Sequence, residues 1–369
     1  MINESISDKQ GICLMVLFIF GSTLIVGIGG EAKQNSWISV ILGVILALPA
    51  VMVYARLLSL YPRKDLFDIL MELFGSLLGR ILSLVYIWFA FHLGTLVLRN
   101  YLEFTSNVVF PDTPAWLLPL FLVPLISWVT KGGIEVLGRC AEFLILFIIG
   151  LIILITISLS MPRIEIKNIL PIMYDGFRPV FMSAFAAFSF PFAETIIFTM
   201  CFSSLKTTRS PYKAYILGLI IGGFFLLIAT LRNILILGAG AIAENYFPSN
   251  VAVSVIHLGD LLQRLELSVS AVLIICVFIK LSVCILGVCN GVSKIFKLKD
   301  FKFLATPICA MLFTFSLFIY SSTMEMNEFA FKVWPYYAFL FQAILPALII
   351  IVAEIKNWKS NKNLKNIST

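Results

Sequence analysis

Ten apolar runs, each about long enough to cross a lipid bilayer as a helix, constrain this chain more than any other feature. A spanning helix needs about 20 mostly apolar residues. Charged residues make up only 13% of the 369 positions, about half the share found in soluble domains. The sequence therefore predicts an all-α polytopic membrane protein, a single integral membrane domain over 1–369 with about ten transmembrane helices. The runs cover roughly 11–30, 37–60, 79–105, 114–131, 134–160, 180–204, 212–240, 268–293, 303–321 and 335–355.

The distribution of Lys and Arg predicts which side of the membrane each loop faces. Cytoplasmic loops carry an excess of these residues. When the chain is drawn with ten spans, most of its 27 Lys and Arg residues fall on the same side of the membrane as the N-terminus. Both termini are therefore predicted to be cytoplasmic, with 356–369 as a basic tail. The net charge of +7 follows from this topology and the anionic inner leaflet, so the lipid bilayer is an expected partner and nucleic acid is not.

Two segments between the spans have patterns of their own. Residues 62–78 alternate charged and apolar positions at helical spacing, which predicts a helix lying along the inner membrane surface. Residues 241–267 form the longest outer loop, and we expect them to hold a short helix over the extracellular mouth.

Spans one and six both contain helix breakers in mid-membrane. Span one has Gly21-Ser22-Thr23, and span six has Ser189-Phe190-Pro191-Phe192. Proline removes a helix hydrogen bond and clashes with the preceding turn, and open backbone at that depth is tolerated only where it is buried in protein or lines a cavity. Breaks in the first helix of each half predict a five-plus-five inverted repeat, with repeat one over about 11–160 and repeat two over about 180–355.

Interrupted helices of this kind hold small charged ligands, because half-helix amino ends attract a carboxylate and freed carbonyls attract a cation. The alternative is that Gly21 serves helix packing and Pro191 is a plain kink. On the ligand hypothesis, Gly21 is the hinge and the amides around Ser22 and Thr23 meet the ligand carboxylate. The other predicted ligand contacts are the carbonyls of Phe188, Ser189 and Phe190, and side chains of spans three and eight, namely His92, Thr95, Phe278 and Lys280.

Charged residues inside spans are functional candidates by default, since burying them in a membrane is costly. Lys280 lies near the middle of span eight, Glu194 one turn after the span-six break, and Arg232 in the outer third of span seven. Together with Pro191 they are the predicted coupling or gating residues. Two interpretations of Lys280 stay open: its ammonium replaces a coupling cation, or it forms a structural pair with Glu194 or another carboxylate.

Catalytic and metal-binding patterns are missing from the sequence. The two histidines, His92 and His257, have no acidic or cysteine cluster beside them, so no metal site is predicted. No nucleophile motif, P-loop or dinucleotide fingerprint occurs. We therefore expect neither an enzyme nor a bound cofactor.

Several short stretches, in order along nearly the whole chain, resemble one family. They are QNSWIS (34–39), LRNYLEF (98–104), FPDTP (110–114), GGIEVLGRCAEF (132–143), NILPIMYDGFRP (168–179), SFPFAE (189–194), ILGAGAIAENYFPS (236–249) and GDLLQRLE (259–266). Their order and spacing are similar to those of the spore germination permeases, the B subunits of nutrient germinant receptors, within the amino acid–polyamine–organocation transporter superfamily. One position departs from the pattern: Asn35 stands where an aspartate is expected in many relatives, which puts a carboxylate role there in doubt.

The resemblance implies a membrane subunit that binds a small nutrient germinant, such as an amino acid, and triggers germination. It also implies the inner membrane of the bacterial spore and two partners, an A-type membrane subunit and a C-type lipoprotein. An autonomous amino-acid permease with the same fold is the alternative, because a sensing site and a transport site use the same local chemistry.

Overall fold

Helices make up most of the described chain. The computed structural model describes residues 5–23, 27–28, 30–153, 163–255 and 266–367. Ten helices of this part occupy the ten apolar runs. They are α1 Asp8–Phe20, α2 Ser36–Leu60, α3 Leu66–Phe104, α4 Leu117–Lys131, α5 Gly133–Ile153, α6 Phe177–Ala187, α7 Ser210–Glu244, α8 Glu266–Ile295, α9 Lys302–Phe318 and α10 Leu345–Ile367.

Seven segments of the described chain are long and apolar enough to cross a membrane on their own. The helices α1, α4 and α9 are shorter, with 13, 15 and 17 residues. Helix α1 is short because it ends at the break predicted for span one. The predicted end of span five, 154–160, lies outside the described residues.

Span ten begins earlier than the predicted residue 335. Helical turns continue without interruption from Thr323 into α10. The sequence pattern missed this extension because it contains Glu325, Glu328 and Lys332. The structure neutralises part of that charge by pairing Lys332 with Glu328 at 2.9 Å, one helical turn apart. The Ser322 hydroxyl caps the first turn by accepting from the amide of Glu325. The tail predicted as 356–369 is helical as far as Ile367.

Both predicted helix breaks are present. Helix α1 ends before Gly21, whose φ of +23° and ψ of −127° leave the helical region; positive φ favours glycine. In span six, α6 ends at Ala187 and a π-helical turn, Phe188–Phe192, follows. Within that turn Phe190 is extended, with φ −143° and ψ 105°, and a 3₁₀ helix then runs over Ala193–Met200.

Helix α1 is buried among its neighbours, and small residues on α7 make room for it. A methyl group added at Gly218 of α7 would lie 2.5 Å from Cβ of Met15, and one at Gly222 would lie 3.0 Å from the Ile19 side chain. Small residues let helix backbones approach closely inside membranes. Close contact with α7 therefore positions the end of α1, where the first break begins.

The segment predicted to lie along the inner surface is a separate helical arm. It begins at Leu66, and Gly75, at φ +77° and ψ −175°, separates it from the rest of α3. Its apolar residues Leu66, Phe67, Ile69 and Leu70 are fully buried, so one face packs into the protein. Its position relative to a membrane surface stays a prediction.

The outer loop predicted over 241–267 contains the expected short helix, Pro248–Ser254. Residues 256–265 of this loop, including His257, lie outside the described part of the chain.

Candidate functional site

A buried ion pair joins span eight to the break in span six. The Lys280 ammonium lies 2.5 Å from Oε2 of Glu194, and both side chains are fully enclosed, at 0% exposure. Glu194 is the second residue of the 3₁₀ helix that follows the span-six break. The structure therefore contains the pairing with Glu194 that the sequence left open as one interpretation of Lys280.

The same ammonium also lies against the break in span one. It is 4.9 Å from the ring centroid of Phe18 and 5.1 Å from that of Phe190, distances at which a cation is attracted to an aromatic face. A methyl group added at Gly21 would lie 2.4 Å from Cδ of Lys280. Lys280 thus crosses directly over Gly21, and its charge sits between the two interrupted helices.

Two polar atoms at this junction have no hydrogen-bond partner in the described part of the chain. They are Oε1 of Glu194 and the hydroxyl oxygen of Ser22, and both residues are fully buried. A buried polar group without a partner costs about 1–3 kcal/mol, so native proteins rarely leave one without a reason. Each of these oxygens can accept one more hydrogen bond, but both are enclosed by the surrounding helices.

The carbonyl of Ser189, one of those predicted to face a ligand ammonium, is already held by span ten. It accepts hydrogen bonds from Nε2 of Gln342 at 2.9 Å and from Nε1 of Trp334 at 3.4 Å. The Ser189 hydroxyl donates to the carbonyl of Pro335. Sequence reasoning did not single out Gln342 or Trp334, although a glutamine inside an apolar run is a visible signal.

The other predicted pocket residues lie in different surroundings. His92 stacks on Trp88 with ring centroids 5.5 Å apart, and its Nδ1 is 3.3 Å from the hydroxyl of Tyr337. The Thr95 hydroxyl donates to a carbonyl of its own helix, and Phe278 is half-buried against the core. Within the described chain these side chains make no hydrogen bond or ring contact with the ion pair.

Phe188, the first residue of the span-six break, is buried against aromatic neighbours. Its ring lies 6.2 Å from Phe185 and 6.0 Å from Phe339, measured between centroids. The side chain therefore connects the break to span ten, as Ser189 does.

Arg232 lies beside a second feature, a cleft between the end of span one, α7 and the short helix Pro248–Ser254. Its Nε and Nη2 donate to Oδ1 of Asn233 at 3.2 and 2.7 Å, and Nδ2 of Asn233 donates to the hydroxyl of Ser249 at 2.9 Å. We call this feature the Asn233 cleft. It is lined by Thr23, Gly27, Ile28, Ser36, Leu226, Ala229, Thr230, Asn233, Ile234, Ile242, Pro248 and Ser249.

Asn35, the position that departs from the family pattern, has a structural contact. Its side-chain oxygen accepts from the amide of Met173 at 3.0 Å. It thereby ties the turn before α2 to the loop before α6.

No group of three or more His, Cys, Asp or Glu side chains arranged to hold a metal ion occurs within the described residues.

Comparison with known proteins gives consistent results. A family model described as "Spore germination protein" matches residues 5–328. The chain is 28% identical over 365 residues to Spore germination protein KB of Bacillus subtilis (strain 168), covering 98% of this chain and 97% of that protein. It is 25% identical to Spore germination protein YndE of the same strain, covering 89% and 88%.

Two solved transporter structures resemble the fold. One is Mhp1, a nucleobase-cation-symport-1 family transporter in a closed conformation with bromovinylhydantoin bound. Its TM-score is 0.72 at 11% identity, covering 94% of this chain and 78% of that one. The other is MhsT in complex with L-phenylalanine, with a TM-score of 0.68 at 12% identity, covering 95% and 98%. These similarities confirm the predicted fold class, an all-helical membrane protein with interrupted helices one and six.

Proposed function

The chain belongs to the spore germination protein family, and from that premise we propose that it is the membrane subunit of a germinant receptor. In this proposal it binds a small nutrient, an amino acid, where the two broken helices meet, and binding triggers germination. The observation that carries the proposal is the enclosed Lys280–Glu194 ion pair between the two breaks.

An amino acid has the right charges to replace both halves of this pair at once. Its carboxylate can accept from the Lys280 ammonium, and its ammonium can donate to Glu194, so neither buried charge is left alone. Removing one partner of a buried pair costs about 3–5 kcal/mol. A simple amine or a simple acid would impose that cost, which supports a zwitterion as the ligand class.

We assign the remaining contacts to the residues that the sequence predicted at the two breaks. The Ser22 hydroxyl and the backbone at Thr23 assist the ligand carboxylate, while Oε1 of Glu194 and the carbonyl of Phe190 assist its ammonium. The carbonyl of Phe188, also predicted to face the ammonium, already accepts from the amide of Ala193. His92, Thr95 and Phe278 stay candidates for contact with the ligand side chain.

We place the gating movement at the same junction, where the two helix breaks meet. Because the pair is fully enclosed, the ligand enters only after the helices around Gly21 and Pro191 move. The shift between the two states is limited by the ligand's difference in affinity for them.

Deleting the gene tests the proposal. Spores lacking it are scored for germination against a panel of single amino acids and sugars, with a non-nutrient trigger as the control. Loss of response to one nutrient class, with the control response intact, supports the receptor role and names the ligand class. An unchanged response to every nutrient contradicts it.

The family resemblance also supports a location and partners, which we propose with it. The chain resides in the inner membrane of the spore with both termini cytoplasmic, and it assembles with an A-type membrane subunit and a C-type lipoprotein. Affinity purification of the tagged chain from spore membranes should recover both subunits by mass spectrometry. Recovery of the chain without either subunit contradicts the assembly.

Transport of an amino acid by this chain alone is the second candidate function. The fold similarity to MhsT, whose structure holds L-phenylalanine, favours it. Vesicles containing only the purified chain would then take up labelled amino acid, and the gene deletion would slow uptake by growing cells while leaving germination unchanged.

A further inference from the structure

A groove runs between α6 and span ten, and the turn before α2 closes one side of it. Its volume is about 170 Å³. A single water molecule needs about 10–15 Å³ of such space, so the groove accommodates a group of about ten non-hydrogen atoms. We call it the span-ten groove. Its walls are mostly apolar, and the apolar residues that form them are Met182, Phe185, Ala186, Phe331, Pro335 and Tyr336.

Two opposite charges also line the span-ten groove. Glu31 comes from the turn before α2 and Lys332 from span ten, and both side chains are exposed. The Lys332 ammonium also lies 2.9 Å from Oε1 of Glu328, in a pair that is largely exposed. Exposed pairs of this kind are weak, so the ammonium can also bind an anion in the groove. The groove therefore offers a cation and a carboxylate beside an apolar wall.

A line of exposed apolar side chains leads away from the groove along span ten. The line begins at Tyr336, a wall residue that is 61% exposed, and continues at four-residue spacing with Leu340, Ile344 and Leu348. Residues four apart lie on one face of a helix, and these twelve steps cover about 18 Å. On a spanning helix such a face meets acyl chains, and tyrosine is enriched at the level of the lipid headgroups. The groove thus joins a charged end to a surface suited to a lipid chain.

We infer that the span-ten groove binds a phospholipid whose headgroup carries both a phosphate and a primary ammonium, as phosphatidylethanolamine does. The phosphate accepts from the Lys332 ammonium, the lipid ammonium donates to the Glu31 carboxylate, and one acyl chain follows the line that begins at Tyr336. Charge-assisted hydrogen bonds of this kind are strong. Phosphatidylglycerol would bring its phosphate near Glu31 without a compensating cation, and the quaternary ammonium of phosphatidylcholine has no proton to donate.

The groove lies next to the break in span six. The ring of Phe185, a wall residue on α6, is 5.7 Å from the ring of Tyr336 and 6.2 Å from that of Phe188, measured between centroids. Phe188 is the first residue of the break. A lipid in the groove would therefore contact the helix that ends at the break. The inference does not depend on the nutrient proposed for the central ion pair.

Native mass spectrometry of the purified full chain in detergent tests the inference. Phosphatidylethanolamine, phosphatidylcholine and phosphatidylglycerol with identical dioleoyl chains are titrated separately, and the affinity of the first bound lipid is compared. We expect the wild type to bind phosphatidylethanolamine about fivefold more tightly than either of the others. In Lys332→Gln this affinity should fall about fivefold, the size of one lysine's attraction to a lipid headgroup.

Three further variants locate the lipid. Glu31→Gln should reduce the preference for phosphatidylethanolamine over phosphatidylcholine, because the carboxylate that accepts from the primary ammonium is gone. Ala186→Trp should weaken binding of all three lipids by filling the groove. Lys167→Gln is the matched control, since it also removes an exposed lysine paired with a glutamate, and it should bind as the wild type does. If Ala186→Trp does not fold, the two exposed charge variants decide the matter.

Three outcomes overturn the inference. They are equal affinity of the wild type for the three lipids, a preference for phosphatidylethanolamine that survives both Lys332→Gln and Glu31→Gln, and an equal loss of affinity in Lys167→Gln and Lys332→Gln. Lys280→Met should keep the preference, so failure of the proposed nutrient site leaves this result standing. Displacement of the bound lipid by a free amino acid in the wild type and in Lys280→Met would assign the groove to a soluble zwitterion instead.

Discussion

At the scale of single residues, Lys280 and Glu194 form the most consequential contact in the described chain. Two opposite charges without exposed surface depend on each other, because desolvation of either alone is not compensated. Such a pair adds little net stability compared with apolar residues of the same size. Its value lies in where it holds its two charges, beside Gly21 and Phe190 at the two breaks.

Glu194→Gln should destabilise the protein by about 3–5 kcal/mol, because it leaves the Lys280 ammonium buried without a counter-charge. Lys280→Met introduced together with Glu194→Gln should recover much of that loss. The measurement is thermal unfolding of purified protein in one detergent. Glu165→Gln is the control, since its pair with Lys167 is largely exposed and contributes about 0–1 kcal/mol. Equal melting temperatures for Glu194→Gln and Glu165→Gln would contradict the idea that the buried Lys280 ammonium needs Glu194 as its counter-charge.

Gly21→Ala should abolish the germination response while the protein still accumulates in the membrane. The added methyl group would lie 2.4 Å from Cδ of Lys280, and the backbone there has φ +23°, so the lysine must move away from the breaks. Gly150→Ala is the matched control, because a methyl group there meets no atom within 4 Å. Germination by nutrient and the membrane level of each variant are measured together. A normal response in Gly21→Ala would remove the site from span one.

At the scale of elements, the contact of α1 with α7 determines where the first break lies. Helix α1 has buried residues around its circumference, so close approach to its neighbours, and not a single apolar face, holds it. Gly218 and Gly222 create that approach.

Gly218→Leu should therefore lower the melting temperature by several degrees, because the new side chain would overlap Met15, and overpacking typically costs about 1–3 kcal/mol. Gly240→Ala, also in α7 and without an atom within 4 Å of its added methyl group, should have a much smaller effect. Unfolding in detergent compares the two. An unchanged melting temperature in Gly218→Leu would mean that α1 and α7 separate at little cost.

The helical arm at the start of α3 is joined to α8 by a cluster of charged residues. Lys294 of α8 lies 2.6 Å from a carboxylate oxygen of Asp65 and also pairs with Asp68. Asp65 in addition caps α3 by accepting from the amide of Asp68. Burial raises the pKa of Asp65 from 3.8 to about 6, against the opposing effect of Lys294.

This cluster predicts a pH dependence of stability. A carboxyl whose pKa is raised on folding stabilises the folded state fully below its unfolded pKa, near 4, and that contribution is lost as the pH rises through about 6. The melting temperature of the wild type should fall between pH 4 and 7 relative to Asp65→Asn, a variant that keeps the helix cap. The same pH profile in both proteins would show that Asp65 does not titrate in this window.

At the scale of the whole molecule, the proposed ten spans predict that both termini lie on one side of the membrane. Reporter fusions test this, because alkaline phosphatase is active only outside the cytoplasm and a fluorescent protein matures inside. We expect fluorescence from a fusion after the last residue and phosphatase activity from a fusion within 163–176. Phosphatase activity from the C-terminal fusion would mean that the C-terminus lies outside the cytoplasm, which would contradict the predicted topology.

The sequence by itself determined the number and position of the spans and the location of both breaks. Each follows from a local rule: bilayer thickness sets the length of an apolar run, and Gly21 and Pro191 alter the backbone wherever they stand. It also identified Lys280, Glu194 and Arg232 as residues to explain, because charge is costly at that depth. Span ten is the exception. Its first helical turns, which begin at Thr323, contain the ion pair of Glu328 and Lys332 and therefore do not form an apolar run.

Only the tertiary structure decided which of these residues meet. Lys280 and Glu194 are 86 residues apart in sequence, and Ser189 and Gln342 are 153 apart. Contacts between spans depend on how each helix is rotated and shifted along its axis. In a soluble protein the apolar face reveals that rotation, but lipid is as apolar as the protein interior. The hydrophobic pattern of this sequence therefore could not predict that His92 lies away from the ion pair, or that Arg232 lies against Asn233.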